Sequence, residues 1–192
     1  MKYSGPIEIS QSEKISAYVK HNNENSNSVS AQFFKKPNNF AIDIKSEYNP
    51  QYHAGGKDAL LDGINGNENW RKGEWQGYQG QDFECVIDMK TASEISSINS
   101  NYLQDTRAWI VMPTKVAYYI SEDNINFTKV GSVENTLDPK EYEVKVKPFA
   151  LQFNPKNARY VKVIATNFGK LPEWHQGAGF DAYIFIDEIT VK

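Results

Sequence analysis

Cysteine is almost missing from this chain. Cys85 stands alone among 192 residues, so no internal disulfide can brace the fold. Long apolar runs are missing too. Nothing approaches the ~20 residues of a membrane-spanning helix, and the opening Met1-Lys2-Tyr3-Ser4-Gly5-Pro6 has no apolar core of a secretory signal. There is no excess of basic residues. The net charge of -3 argues against nucleic acid or an anionic membrane as a partner, since both select basic patches. Gly-x-Ser-x-Gly, His-Glu-x-x-His and phosphate-loop signatures are absent. No second His or Cys stands at ligand spacing from His53, which reads as a packed loop residue, and His21 reads as solvated. The 24 acidic residues offer carboxylate pairs freely, but none in a motif that sets two of them across a glycosidic bond. These absences point away from an enzyme.

What is present is an ordinary globular composition, 40% hydrophobic and 23% charged, with 13% aromatics. Period-two alternation recurs along the chain. Phe40–Ile44 reads as a short strand, and Phe83, Cys85 and Ile87 share the inner face of another, which makes Cys85 a small buried hydrophobe. Further strands are expected over residues 94–100, 115–120, 126–130, 142–147, 158–166 and 182–191. Asp58–Asp62 reads as a short helical turn capped by Asp58. Glycine-rich residues 63–80 read as tight surface turns. About eight strands with no helix beyond two turns predict an all-β fold, a sandwich with jelly-roll connections. Residues 1–38 read as two strands, Pro6–Ile9 and Lys14–Val19, around an Asn/Ser-rich link at 21–30. So small a piece cannot bury a core alone. It either packs on the following domain or is the tail of another. A boundary near Lys35–Asn39 gives two parts, 1–38 and 39–192.

The tryptophans fall at 70, 75, 109 and 174, outside the alternating segments, and loop tryptophans are candidates for ligand contact. The run Asn101–Pro113 gathers Tyr102 and Trp109 with Gln104, Asp105 and Arg107, side chains too costly for a plain connection. A sugar needs a flat ring for its C–H face and polar groups for its hydroxyls. The expected carbohydrate-binding set is therefore Tyr102, Gln104, Asp105, Arg107, Trp109, Asn167, Trp174 and His175. Equally open is an Arg107–Asp105 ion pair that only braces the loop. Trp70 is expected in the core, and Trp75 and Tyr78 could go either way.

Ala59-Leu-Leu-Asp-Gly63, Trp70, Ser121-Glu-Asp-Asn-Ile-Asn-Phe127, Ala158-Arg-Tyr-Val-Lys-Val163 and Asp187-Glu-Ile189 together resemble the factor V/VIII type C (discoidin) domain, over about residues 45–192. Its bacterial members are largely family 32 carbohydrate-binding modules. Asn69–Phe83, Leu103–Trp109 and Gly169–Gly179 look like the C-terminal domain of Bacteroidetes chitobiases (β-N-acetylhexosaminidases of glycoside hydrolase family 20). Residues 1–38 resemble the last strands of the small chitobiase C-terminal or fibronectin-III-associated domain before it. The resemblance implies a galactose-binding-like jelly roll and a non-catalytic module of a secreted bacterial glycosidase, periplasmic, outer-surface or extracellular. Its ligand would be a glycan ending in galactose or an N-acetylhexosamine, and its state a monomer. The alternative is a structural domain docked on the parent's catalytic domain, with no affinity for free sugar. The resemblance also implies a structural calcium ion held by Asp62 and Glu188, with Asn65 or Asn67 and carbonyls near Ala59 and Asn69. Oxygen-only donors on a sharp turn suit calcium, and Asp62 capping an ordinary turn is the competing reading.

Overall fold

The computed structural model describes residues 2–192. Two strands dominate it, β7 (Phe83–Gln104) and β10 (Lys145–Thr166), each 22 residues long. They pair with each other antiparallel along nearly their whole length, with register breaks between Gln152 and Lys156 and between Ala158 and Tyr160. At those breaks the pair bends from one layer into the other. Lys90 helps the turn with a left-handed backbone (φ 71°), its N–H received by Asp88.

The bend divides the partners. The first half of β7 takes β5 (Ala41–Ile44) on one side and the second half of β10 on the other. That half of β10 then continues to β8 (Lys115–Ser121) and β9 (Thr128–Glu134). The second half of β7 takes β11 (Tyr183–Val191), followed by β6 (Gln76–Gln79). The result is one seven-stranded hydrogen-bonded sheet folded into a sandwich, the all-β jelly-roll arrangement that the alternation predicts. Phe83, Cys85, Tyr102, Tyr118, Phe149 and Ile184 meet between the layers with no exposed surface. Cys85 is the buried hydrophobe expected, and burial pushes its thiol far up.

Several boundaries differ from the sequence expectation. The strands expected at 83–87 and 94–100 are one, and β7 runs on through Asn101–Gln104, because Tyr102 points into the core opposite Phe149. Gln76–Gln79 is a strand rather than a surface turn. Its Gly77 is there for close approach: a Cβ would sit 2.6 Å from the Phe185 ring. Trp75 and Tyr78 are buried, and Trp70 is half-buried. β10 starts only at Lys145, so Tyr142–Val144 belong to the preceding loop. Lys57–Leu61 is a 3₁₀ turn with no side-chain cap, and Asp58 sits inside its first turn.

Residues 6–9 form no strand, and the polar link folds into a hairpin instead. β1 (Glu13–Ala17) pairs with β4 (Val29–Phe33), and β2 (Lys20–His21) with β3 (Glu24–Asn25). Asn22 and Asn23 turn the tip at φ 45° and 67°, as a two-residue hairpin loop requires. This ribbon is almost entirely exposed.

Candidate functional site

At the end of the sandwich where β7 stops and β11 starts, Asp105–Ile110 closes into a tight turn. The N–H of Asp105 donates to the Ile110 carbonyl (3.0 Å) and the Ile110 N–H returns to the Asp105 carbonyl (3.3 Å). Trp109 ends the turn with φ 68°, an uncommon backbone for a bulky residue. Two neighbouring loops are fastened to this turn. Gln104, fully buried, donates to the Asp138 carbonyl (2.9 Å) and receives the Met112 N–H (3.3 Å). Thr106 donates to the Pro139 carbonyl, and Arg107 to the Tyr142 carbonyl. From the other side, His175 Nδ1 accepts the Gly177 N–H (2.9 Å). The ring proton is therefore on Nε2 and donates to the Thr106 carbonyl at 2.6 Å.

These bonds correct part of the expected sugar-binding set. Tyr102 is a core residue with no exposed surface. Gln104 and His175 are buried, with their polar atoms engaged in bracing the loops. Asn167 donates to the Gln81 and Ala182 carbonyls and accepts the Gly169 N–H, so its amide is saturated inside the protein. Each was expected at the surface because polar and aromatic loop residues usually face water. Long-range backbone partners turn Gln104, Asn167 and His175 inward, whereas Tyr102 lies on the core face of β7, its hydroxyl accepting from Ser100 Oγ.

Arg107 and Trp174 remain outward, while Trp109 is half-buried against Val111, Leu171 and Ala182. The Arg107 side chain is 65% exposed, and its Nε lies 4.0 Å from Asp105 Oδ1, too far for a hydrogen bond. Trp109 stacks on Phe180, with ring centroids 5.1 Å apart and planes 22° apart. Phe180 is 60% exposed, and Gly177 packs under the indole. Trp174 is exposed, with Lys140 Nζ 5.4 Å from its ring centroid. Phe180 escaped the sequence reading because it trails a glycine-rich run and carries no alternation signal.

On the opposite flank of the turn, Asp105 is buried. Its Oδ2 accepts the Trp70 indole N–H at 3.0 Å. Trp70 packs on Tyr52 and Phe185, and the Arg71 guanidinium covers its ring at 4.0 Å. An open cleft of about 530 Å³ lies here, lined by Glu68, Asn69, Arg71, Asp105, Glu143 and Lys145.

The expected metal ligands lie away from this turn, where the 62–66 loop meets β11. Glu188 Oε2 accepts the Gly63 N–H at 3.0 Å and Asp187 Oδ2 accepts the Gly66 N–H. Burial pushes Asp187 up to about 7 and Glu188 up to about 8, and both rise further beside Asp62. Desolvated carboxylates that repel one another are the donor chemistry a divalent cation satisfies. The carboxylate part of the expected set therefore fits calcium. The amide part does not: Asn65 accepts from Asn101, while Asn67 bonds Glu74 and Asn69, both on the exposed side. Among the described residues no three His, Cys, Asp or Glu side chains are placed to hold a metal ion. Backbone carbonyls would have to supply much of the shell.

Residues 41–184 match the F5/8 type C domain family. The chain belongs to that family. No curated protein matches it. Among solved structures, CpGH89CBM32-5 from Clostridium perfringens, in complex with GalNAc-β-1,3-galactose, is 22% identical. It covers 80% of this chain and 94% of its own, at a TM-score of 0.50. CBM32-3 of a family 31 glycoside hydrolase from the same organism is 19% identical over 79% of this chain and 88% of its own, also at 0.50. A chitosan-binding module of a chitosanase/glucanase from Paenibacillus sp. IK-5 is 13% identical over 81% and 96%, again at 0.50. At these identities the likeness is one of fold, the F5/8 type C sandwich.

Proposed function

We propose that this F5/8 type C domain is a non-catalytic carbohydrate-binding module that holds glycans at the Asp105–Ile110 end of the sandwich. The observation that carries the reading is the Trp109–Phe180 stack. A bulky residue in a left-handed backbone is kept there by an exposed ring and a glycine, and backbone strain of this kind clusters at ligand clamps. Phe180 offers a flat apolar face to a sugar ring, and Arg107, on the same turn as Trp109, and Trp174, beside His175, are exposed as well. Solved modules of the same fold are named for sugar ligands, which supports the reading. Galactose, N-acetylgalactosamine and N-acetylglucosamine are the proposed terminal residues. The parent would be a secreted chitobiase-like glycosidase, and affinity would be micromolar to millimolar, because a shallow site buries few contacts.

Titration of the three sugars against tryptophan fluorescence tests this. A saturable change that weakens at least tenfold in Phe180→Ala and Trp109→Ala, with folding intact, is the expected result. A flat response to all three sugars overturns it. That outcome favours the second reading, an interface with the parent's catalytic domain. What speaks for that reading is the inward engagement of Gln104, Asn167 and His175, which leaves a largely aromatic surface.

Calcium belongs to the same proposal. Asp62 and Glu188 would hold it with loop carbonyls. Its chemistry would be structural: it would neutralise the carboxylates and fix the 62–66 loop against β11.

A further inference from the structure

Both rings of the Trp109–Phe180 stack hang on backbone groups that one imidazole holds. The Trp109 N–H donates to the Thr106 carbonyl at 3.0 Å, and the same carbonyl takes the His175 Nε2–H at 2.6 Å. The Phe180 N–H donates to the Gly177 carbonyl at 3.1 Å, and the Gly177 N–H donates to His175 Nδ1 at 2.9 Å. Gly177 also packs under the Trp109 indole. His175 is 4% exposed, so its ring is largely shut off from water.

This arrangement suits one protonation state. A neutral imidazole has one donor and one acceptor, and the two partners match them. A second proton makes Nδ1 a donor facing the Gly177 N–H, and two donors cannot bond each other. Either Gly177 moves off the ring or the ring turns away. The charged groups on the surrounding elements do not offset this. Arg107 on the turn and Lys140, near the Trp174 ring, are cations. Asp105 is committed to Trp70, and Asp138 and Glu141 accept N–H groups of their own loop. Glu143 pairs with Lys145 and Asp181 with Lys170, while Glu173 is exposed. Among the described residues no ion pair includes the imidazole. His53 makes the same bond, Nδ1 accepting the Gly55 N–H at 3.0 Å, but at the surface, where a charged ring can turn to water.

We propose that His175 is a positioning residue that makes the stack pH-dependent: the neutral ring holds Trp109 against Phe180, and the charged ring lets them part. Acid therefore favours the loosened stack, and a ligand that needs the stack binds more weakly as pH falls. The effect on sugar rests on the carbohydrate reading of the stack. The coupling of His175 to Trp109 does not.

Nuclear magnetic resonance of the intact, sugar-free chain tests the coupling. At neutral pH the His175 ring nitrogens show the Nε2–H tautomer. As pH falls from about 8 to about 5, the Trp109 indole N–H signal shifts with the same midpoint as the His175 ring, while near-ultraviolet circular dichroism confirms the fold. Galactose, N-acetylgalactosamine and N-acetylglucosamine are then titrated over the same range, and the affinity of whichever binds falls about tenfold with acid. His175→Asn and His175→Gln offer neutral amides that do not titrate, and in both the indole signal is flat with pH. In His53→Gln the wild-type profile persists. An indole signal that does not follow the His175 ring, or a pH profile preserved in both His175 variants, overturns the proposal. A sugar that binds equally well at both ends of the range also overturns it and leaves the carbohydrate reading standing. A coupled titration with no sugar bound at any pH upholds the coupling and removes the carbohydrate reading.

Discussion

Trp109 shows how much one small neighbour can decide. Its indole lies over Gly177, where a Cβ would stand 2.7 Å from the ring. Gly177→Ala therefore displaces the indole from Phe180 without touching the outer face of either ring. We expect sugar affinity to fall by about tenfold while the melting temperature changes little, as read by titration and calorimetry on the same sample. Asp88 is decided by charge. Arg159 grips it with two bonds, Nε to Oδ1 at 2.9 Å and Nη2 to Oδ2 at 3.2 Å, and these hold the carboxyl well below its usual range. A lowered pKa stabilises the fold above the ordinary carboxylate range, and that stability is lost as pH falls through the range. Asp88→Asn should lower the melting temperature by about 2 °C at pH 7, and the difference from wild type should shrink steadily as pH falls below about 4. A pH-independent difference would show that packing, not charge, sets the effect.

Among elements, the loop at 135–144 depends on the end of β7. Gln104, itself fully buried, supplies donors to the Asp138 and Glu141 carbonyls and an acceptor to Met112. Gln104→Ala strands those backbone groups and should cost about 2–3 kcal/mol, a melting shift of roughly 5–10 °C for a chain of this size. Hydrogen exchange should locate the new mobility at 138–142. The 62–66 loop depends on β11 in the same way, through Glu188 and Asp187. If calcium settles there, a concentration a hundredfold above its dissociation constant stabilises by about 2.7 kcal/mol. Glu188→Gln should abolish the gain, and an equal gain in that variant would place the ion elsewhere.

At the scale of the whole molecule, the amino-terminal ribbon and the sandwich are unequal. The pairing of β1 with β4 puts Ile15, Ala17, Val29, Ala31 and Phe33 on one face of a ribbon that lies open. Its strands make their contacts with each other, and no strand of the sandwich shares a substantial set with them. Chain 36–192, which keeps Lys36 on the Phe40 carbonyl and Pro37 beside Gly63, should melt within about 2 °C of the full chain, since little packing is lost. A much larger drop would mean that the ribbon's open face covers the sandwich in solution.

The all-β class, the inward face of Phe83, Cys85 and Ile87 and the membership in the F5/8 type C family were all carried by period-two alternation and a few local motifs, which depend on neighbours two to six residues away. Asn101–Pro113 likewise stood out by composition alone. Which of its side chains face water was not local information. Gln104 turns inward for carbonyls 34 and 37 positions away, His175 for one 69 positions away and Asn167 for one 86 positions away. Nothing in the neighbouring sequence announces such a partner. Phe180 turns outward because Trp109, brought to it by the pairing of β7 with β11, occupies its inner face. Local periodicity therefore set the strands, and long-range backbone hydrogen bonds, formed only once the sandwich closes, chose which residues its loops present.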